Sequence, residues 1–269
     1  MQLILNADDL GYSPAVNAAI LDLHARGRLS SASLIVNLPH SEAAMAAAAE
    51  RPDLALGVHL NLTRGAPCTP AERIPSLVAR DGRFHPTPAL FARAAAGRVA
   101  LGEVRRELGA QIRRAMGAGL AVTHLDSHSH WHILPHLDRL MRELAVEYEI
   151  PAVRLADPRR TLMPNPLWLA AVRRTPVTAE GARRSDYLFS LNRWMNGGGE
   201  VAPALTGARV ERLLREPGLT AEFVVHPGRA DDPDFPPDTL PAARREWEYR
   251  FVQSAPFDAW LGAIGARLN

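Results

Sequence analysis

Short apolar runs alternate with helical stripes almost from the first residue. Leu3 to Asn6 reads as a buried strand that ends at Asp8-Asp9. Ser13-Pro14 then offers an N-cap and a proline at the first helical position, which predicts a helix to about Arg26. Ser33 to Asn37 predicts a second strand, Ser41 to Glu50 an alanine-rich helix and Leu54 to Leu62 a third strand. Val104, Leu108, Ile112 and Met116 recur every four residues, and Leu137, Leu140, Met141, Leu144 and Ala145 make a second such stripe. Strands over Ala121–Asp126, Ala152–Leu155, Tyr187–Leu191 and Ala221–Val225, with helices around 208–215 and 241–252, complete the series.

Strands alternating with helices define βαβ units and a parallel sheet. Seven units over residues 1–269 predict a single α/β domain, a seven-stranded and distorted TIM-like (β/α) barrel. No Gly-x-Gly-x-x-Gly follows the first strand, so a dinucleotide site is not expected. The stretches 64–100, 157–165 and 192–206, rich in proline or glycine, follow strands; they are expected as walls or lids on the barrel face that carries the chemistry.

Composition narrows that chemistry. The chain has no lysine, which excludes Schiff-base, Walker-type and lysine-base mechanisms. Its single cysteine, Cys68, can form neither an internal disulfide nor a thiolate cage. The net charge of +2, without a basic block, gives no footprint for nucleic acid. No apolar run is long enough to span a bilayer, and the N-terminus lacks the pattern of a signal peptide, so a cytoplasmic setting is expected.

In parallel barrels the reactive groups sit at the carboxyl ends of strands. Those ends here carry Asn6-Ala7-Asp8-Asp9, Gly57-Val58-His59-Leu60-Asn61, Asp126-Ser127-His128, Arg154 and His226-Pro227-Gly228. Isolated charges are costly to bury unless paired or metal-bound, so their convergence is informative where each alone is not. A carboxylate with two imidazoles is a ligand set for a divalent ion; a second carboxylate can serve as base and a further histidine as acid. Four of the ten histidines lie in Thr123–His132, at positions of one parity with Asp126. His128 reads as a ligand and Asp126 as an inner residue that orients a ligand or Arg154. His130 and His132 are expected to line the site, and Arg154 and Asp126 are counted with them on the substrate side. His124 and His136 are expected to be structural or exposed. Trp131, Trp194, Tyr187 and Phe84 are candidates for stacking on a ring, against the alternative of packing.

Asn6-Ala7-Asp8-Asp9-Leu10-Gly11, Gly57-Val58-His59-Leu60-Asn61-Leu62-Thr63, Thr123-His124-Leu125-Asp126-Ser127-His128-Ser129-His130 and Val225-His226-Pro227-Gly228 occur in this order. Together they resemble the motifs of the YdjC-like carbohydrate deacetylases, including the chitooligosaccharide deacetylases and a branch associated with hopanoid lipids. The resemblance implies a barrel that binds one divalent ion, magnesium or zinc, and removes N-acetyl groups from an amino sugar, as a small carbohydrate or a glycolipid. The sequence does not give the oligomeric state, and a homodimer is compatible with it. The resemblance also implies an aspartate of the Asp8-Asp9 pair, His59 and His128 as ligands, the other aspartate as base and His226 as acid. By analogy with other polysaccharide deacetylases Asp9 is the ligand and Asp8 the base; the exchanged assignment stays open. Leu10 stands where phenylalanine is frequent in the family. Rival readings are a metal-dependent phosphoesterase, a non-haem iron oxygenase built on His124-x-Asp126 and His226, and an inactive sugar- or lipid-binding barrel.

Overall fold

The structure is a computed structural model, and it describes residues 2–133, 136–154, 185–190, 218, 220–232, 240–263, 265 and 267–268. Strands β1 (Gln2–Leu10), β2 (Ser31–Leu34), β3 (Ala55–Leu60), β4 (Val122–Ser127), β5 (Ala152–Val153), β6 (Tyr187–Ser190) and β7 (Thr220–Val225) are all parallel. Their order is β5-β4-β3-β2-β1-β7-β6, a sheet curled into a half-barrel; among the described residues β5 and β6 do not pair. A short β8 (Arg267–Leu268) pairs with Gln2 and Leu3, along the part of β1 that β2 does not reach.

Helices α1 (Pro14–Ala25), α2 (Ser41–Ala49), α3 (Thr87–Ala95), α4 (Leu101–Gly117), α5 (Leu137–Glu147), α6 (Ala242–Phe251) and α7 (Ala255–Ala263) flank the sheet. Ser13 caps α1 as its spacing predicts: the Val16 N–H donates to its hydroxyl at 3.3 Å. Three elements were not expected: α3, inside the stretch read as irregular, together with α7 and β8. The helix expected at 208–215 lies outside the described residues, as do 157–165 and 192–206.

The strands alternate with a purpose. On β1, Leu3, Leu5 and Ala7 join the main apolar cluster, while Asn6 and Asp8, also buried, meet polar partners, Ser33 of β2 and Arg154 just after β5. The polar set forms a ladder across the sheet. Asn6 Nδ2 donates to the Ser33 hydroxyl at 2.9 Å, and Ser33 donates to Asp126 Oδ2 at 2.6 Å. Register places Gly57 opposite His124, and His59 opposite Asp126.

Gly57 exists for its neighbour. A Cβ there would lie 2.2 Å from the ring Nε2 of the buried His124. Gly57→Ala is expected to destabilise the fold by about 1–3 kcal/mol through overpacking, read as a lower urea midpoint at unchanged m-value. Gly11 answers a different need: its φ is +93°, and a Cβ would stand 2.4 Å from the Ile35 carbonyl oxygen.

Candidate active site

Two adjacent strand residues should point to opposite faces, yet Asp8 and Asp9 share one site. Asp9 has a φ of +73°, and the register of β1 against β2 shifts between Ala7 and Leu10. This local bulge turns the second carboxylate back beside the first. As a result His59 Nε2 lies 3.8 Å from Asp8 Oδ2 and 3.4 Å from Asp9 Oδ1. A left-handed aspartate costs about 1 kcal/mol or more and persists only where its surroundings dictate it.

His59 is aimed from behind. Its Nδ1–H donates to Asp126 Oδ1 at 2.8 Å, which leaves Nε2 directed at the aspartates. Asp9, His59 and His128 each offer a ligand atom within 4.8 Å of the others. Asp9 Oδ1 stands 2.9 Å from His128 Nδ1. Bonds of about 2.1 Å to a single small ion would put neighbouring ligand atoms about 3.0 Å apart at right angles and about 3.4 Å apart at the tetrahedral angle. The distances of 2.9 and 3.4 Å from Asp9 Oδ1 match those edges, and the donor set of one carboxylate and two imidazoles fits a divalent ion.

Asp8 occupies a different environment. Arg154 grips it with both terminal nitrogens, at 2.8 Å to Oδ2 and 2.6 Å to Oδ1. The same guanidinium meets Asp126 at 2.7 Å and Glu222 at 2.9 Å. Burial works against the Arg154 charge, but these three carboxylates hold its pKa well above the usual value. His226 approaches from β7, its Nε2 3.9 Å from Asp8 Oδ2, and its backbone N–H donates to Glu248 of α6 at 2.6 Å.

The charges follow from these contacts. Burial opposes ionisation of Asp9, but the Arg245 guanidinium and His128 outweigh it and hold the carboxyl well below its usual range. Burial also disfavours a charged His59, yet Asp126 and Asp8 overcome it and raise the imidazole to about 10. At His128 burial prevails over Asp9 and the pKa falls. Burial, with Arg154 next, pushes His132 down to about 3, and burial with His132 beside it lowers His130 strongly.

Placement of the sequence-predicted residues divides cleanly. Asp8, Asp9, His59, His128 and His226 come together. His130 is half-buried at the rim, on a left-handed turn with Ser129. Arg154 and Asp126 do not line a substrate surface: both are 0% exposed, behind the site, with their polar atoms committed to each other, Asp8 and His59. His132 is likewise buried, hydrogen-bonded to Ser127. His124 is structural and His136 exposed. Trp131 and Phe84 are packing residues, Trp131 with its indole N–H on the Leu60 carbonyl at 3.0 Å. Tyr187 packs partly buried against the core, and Trp194 lies outside the described residues.

Several contributors went unforeseen. Arg245 of α6 donates to Asp9 Oδ2 at 2.6 Å, from 236 residues away. Glu222 sits within an apolar strand run, where a buried acid is itself a signal that a cation must be near. Gln111 of α4 clamps the backbone of Asn61, accepting from its N–H at 2.9 Å and donating to its carbonyl at 2.7 Å. Glu107 accepts from the N–H groups of Cys68 and Thr69, so α4 fixes the whole turn after β3.

Arg154→Met would strand Asp8, Asp126 and Glu222 without their shared cation, a loss expected to reach about 3–5 kcal/mol. Chemical denaturation at neutral pH checks it; unchanged stability would mean that the Arg154 contacts contribute nothing net to the fold.

A half-barrel of parallel strands whose carboxyl ends gather carboxylates and imidazoles defines a class of (β/α)-barrel proteins with a candidate metal-hydrolase site. Within it the chain belongs to the YdjC-like protein family, whose model matches residues 2–263. The chain is 34% identical over 238 residues to a carbohydrate deacetylase of Geobacillus stearothermophilus, covering 82% of this chain and 91% of that one. It is 31% identical over 296 residues to a carbohydrate deacetylase of Mus musculus, covering 100% and 93%. A match to the carbohydrate deacetylase of Brevibacillus brevis reaches 42% identity over 151 residues, 56% of this chain and 58% of that enzyme. Among solved structures, one provisionally described as a cellobiose-phosphate cleavage protein of Enterococcus faecalis V583 superposes with a TM-score of 0.79 at 27% identity, over 100% of this chain and 96% of that one. No helix among the described residues is long and apolar enough to cross a membrane.

Proposed function

We propose that this chain is a carbohydrate deacetylase that hydrolyses an N-acetyl group on an amino sugar, a chitooligosaccharide or an N-acetylglucosaminyl glycolipid, with one divalent ion held by Asp9, His59 and His128. The observation that carries the reading is the meeting of those three ligand groups, within 4.8 Å, beside the Asp8 carboxylate in a YdjC-like barrel. When bound, the ion supplies Lewis-acid polarisation of the acetamide carbonyl and a lowered pKa for water.

The protein groups then divide the proton work. Asp8 accepts the proton of the attacking water: Arg154 occupies one lone pair on each oxygen, and Oδ2 keeps a second toward the gap shared with His59 and His226. His226 Nε2, on the other side of that gap, donates a proton to the departing nitrogen, so acetate and a free amine result. His130, at the rim, meets the sugar. Asp126 orients His59, and Arg154, itself paired with Asp126 and Glu222, orients Asp8.

The test is acetate release from diacetylchitobiose, N-acetylglucosamine and an N-acetylglucosaminyl lipid, by protein stripped of metal and reloaded separately with magnesium, zinc, manganese or cobalt. Ion-dependent release that His128→Ala abolishes is the expected result. Phosphate release from phosphoesters, with no acetate from any amide, would turn the reading to the phosphoesterase.

A further inference from the structure

We infer that Arg245 is a positioning residue that restricts Asp9 to one donor oxygen and thereby sets which divalent ions the site accepts. The inference rests on reading Asp9, His59 and His128 as the ion's ligands. Arg245 comes from α6 at the far end of the chain and is 2% exposed. Its Nη2 donates to Asp9 Oδ2 at 2.6 Å, while Oδ1 faces His128 Nδ1 at 2.9 Å and His59 Nε2 at 3.4 Å.

The Arg245 side chain is held on two sides: along its stem by Gly228, where a Cβ would lie 3.3 Å from Arg245 Cδ, and at its head by an aromatic ring. Its Cζ lies 4.9 Å from the centroid of the buried Tyr12 ring, a cation–π contact. Tyr12 closes the Asp9 turn by donating its backbone N–H to the Asp9 carbonyl at 3.0 Å. The Arg245 carbonyl accepts from the Gly228 N–H at 3.2 Å, which ties α6 to the turn after His226. Swinging Arg245 off Oδ2 would therefore break the contact with the Tyr12 ring and disturb the packing of its stem on Gly228.

The consequence is chemical selectivity. Calcium takes six to eight oxygens and commonly draws both oxygens of a carboxylate, whereas magnesium, zinc and manganese accept one. With Oδ2 committed to Arg245, Asp9 offers a calcium ion one oxygen fewer than it would otherwise supply. Charge is not the discriminator, because it acts on all divalent ions alike; occupancy of Oδ2 is.

The experiment measures manganese and calcium affinities of the full chain by calorimetry, for wild type, R245Q and R245M. Gln keeps an N–H donor without the charge; Met removes both. R245Q is expected to strengthen both ions and to keep their affinity ratio within about threefold of wild type, while R245M shifts the ratio toward calcium by about tenfold or more. In parallel, the infrared splitting of the carboxylate stretches of ion-loaded wild type, with isotopically labelled aspartate and Asp9→Asn as the difference reference, should be the wide one of a single-oxygen ligand. A narrow, two-oxygen splitting overturns the inference even if R245M does not fold. An unchanged ratio in a folded R245M overturns it while the ligand reading stands. Wild type that binds neither ion, or Asp9→Asn that binds as well as wild type, overturns the ligand reading and this inference with it.

Discussion

Asp9→Asn is expected to weaken divalent-ion binding by more than about 100-fold, while Asp8→Asn keeps the ion and slows turnover roughly 100- to 10,000-fold. The two aspartates are neighbours in sequence and in space, and their surroundings separate them. Asp9 turns one oxygen on two imidazoles and the other on Arg245. Asp8 has both oxygens on Arg154, with Oδ2 also facing the gap shared by His59 and His226. Ion content by elemental analysis and kcat for acetate release, measured on folded variants, decide the matter. Loss of the ion in Asp8→Asn with retention in Asp9→Asn would exchange the roles. Retention of ion and activity in both would refute the mechanism.

Apparent ion affinity should climb about tenfold per pH unit from about pH 7 and level off near pH 10. The sign follows from His59. In the ion-free site Asp126 and Asp8 hold its imidazole protonated up to about 10. A ligating imidazole must be neutral, so ion binding expels that proton, and raising the pH removes the competitor. His128 adds no slope in this window, because burial keeps its pKa below the usual 6.5 and it is already neutral. Calorimetry in two buffers of different ionisation enthalpy should report about one proton released per ion at pH 8. Binding without proton release would show that His59 is not a charged imidazole displaced by the ion.

Much of the architecture is legible in the sequence because barrels are built from local periodicities. The four-residue stripes of α4 and α5 and the Ser13-Pro14 start of α1 are one-dimensional patterns, and each became the element it predicts. Strand ends shifted by a few residues, as at β2, because strand length is set by pairing with neighbours and not by the strand's own residues. The α3 helix was hidden in a stretch whose prolines read as irregular; Pro86 instead stands at its N-cap and Pro88 in its first turn, where a missing N–H costs nothing.

Charge partners were the least legible feature. Arg245 lies in Ala-Ala-Arg-Arg-Glu-Trp-Glu, a composition indistinguishable from a solvated helix face. Only folding brings it 2.6 Å from Asp9 and brings Glu248 to the His226 N–H. Arg154 and Asp126 carried a signal of importance without its direction: a polar residue at a strand end can face substrate or serve the groups that do.

By itself the sequence determined the alternation of strands and helices, the absence of lysine chemistry, and the set of aspartates and histidines at strand ends, because periodicity and residue type are properties of the chain alone. The tertiary structure decided which oxygen of which aspartate meets which imidazole. That choice depends on the +73° φ of Asp9 and on arginines delivered from residues 154 and 245, and a backbone bulge and a long-range ion pair leave no periodic trace in the chain that makes them.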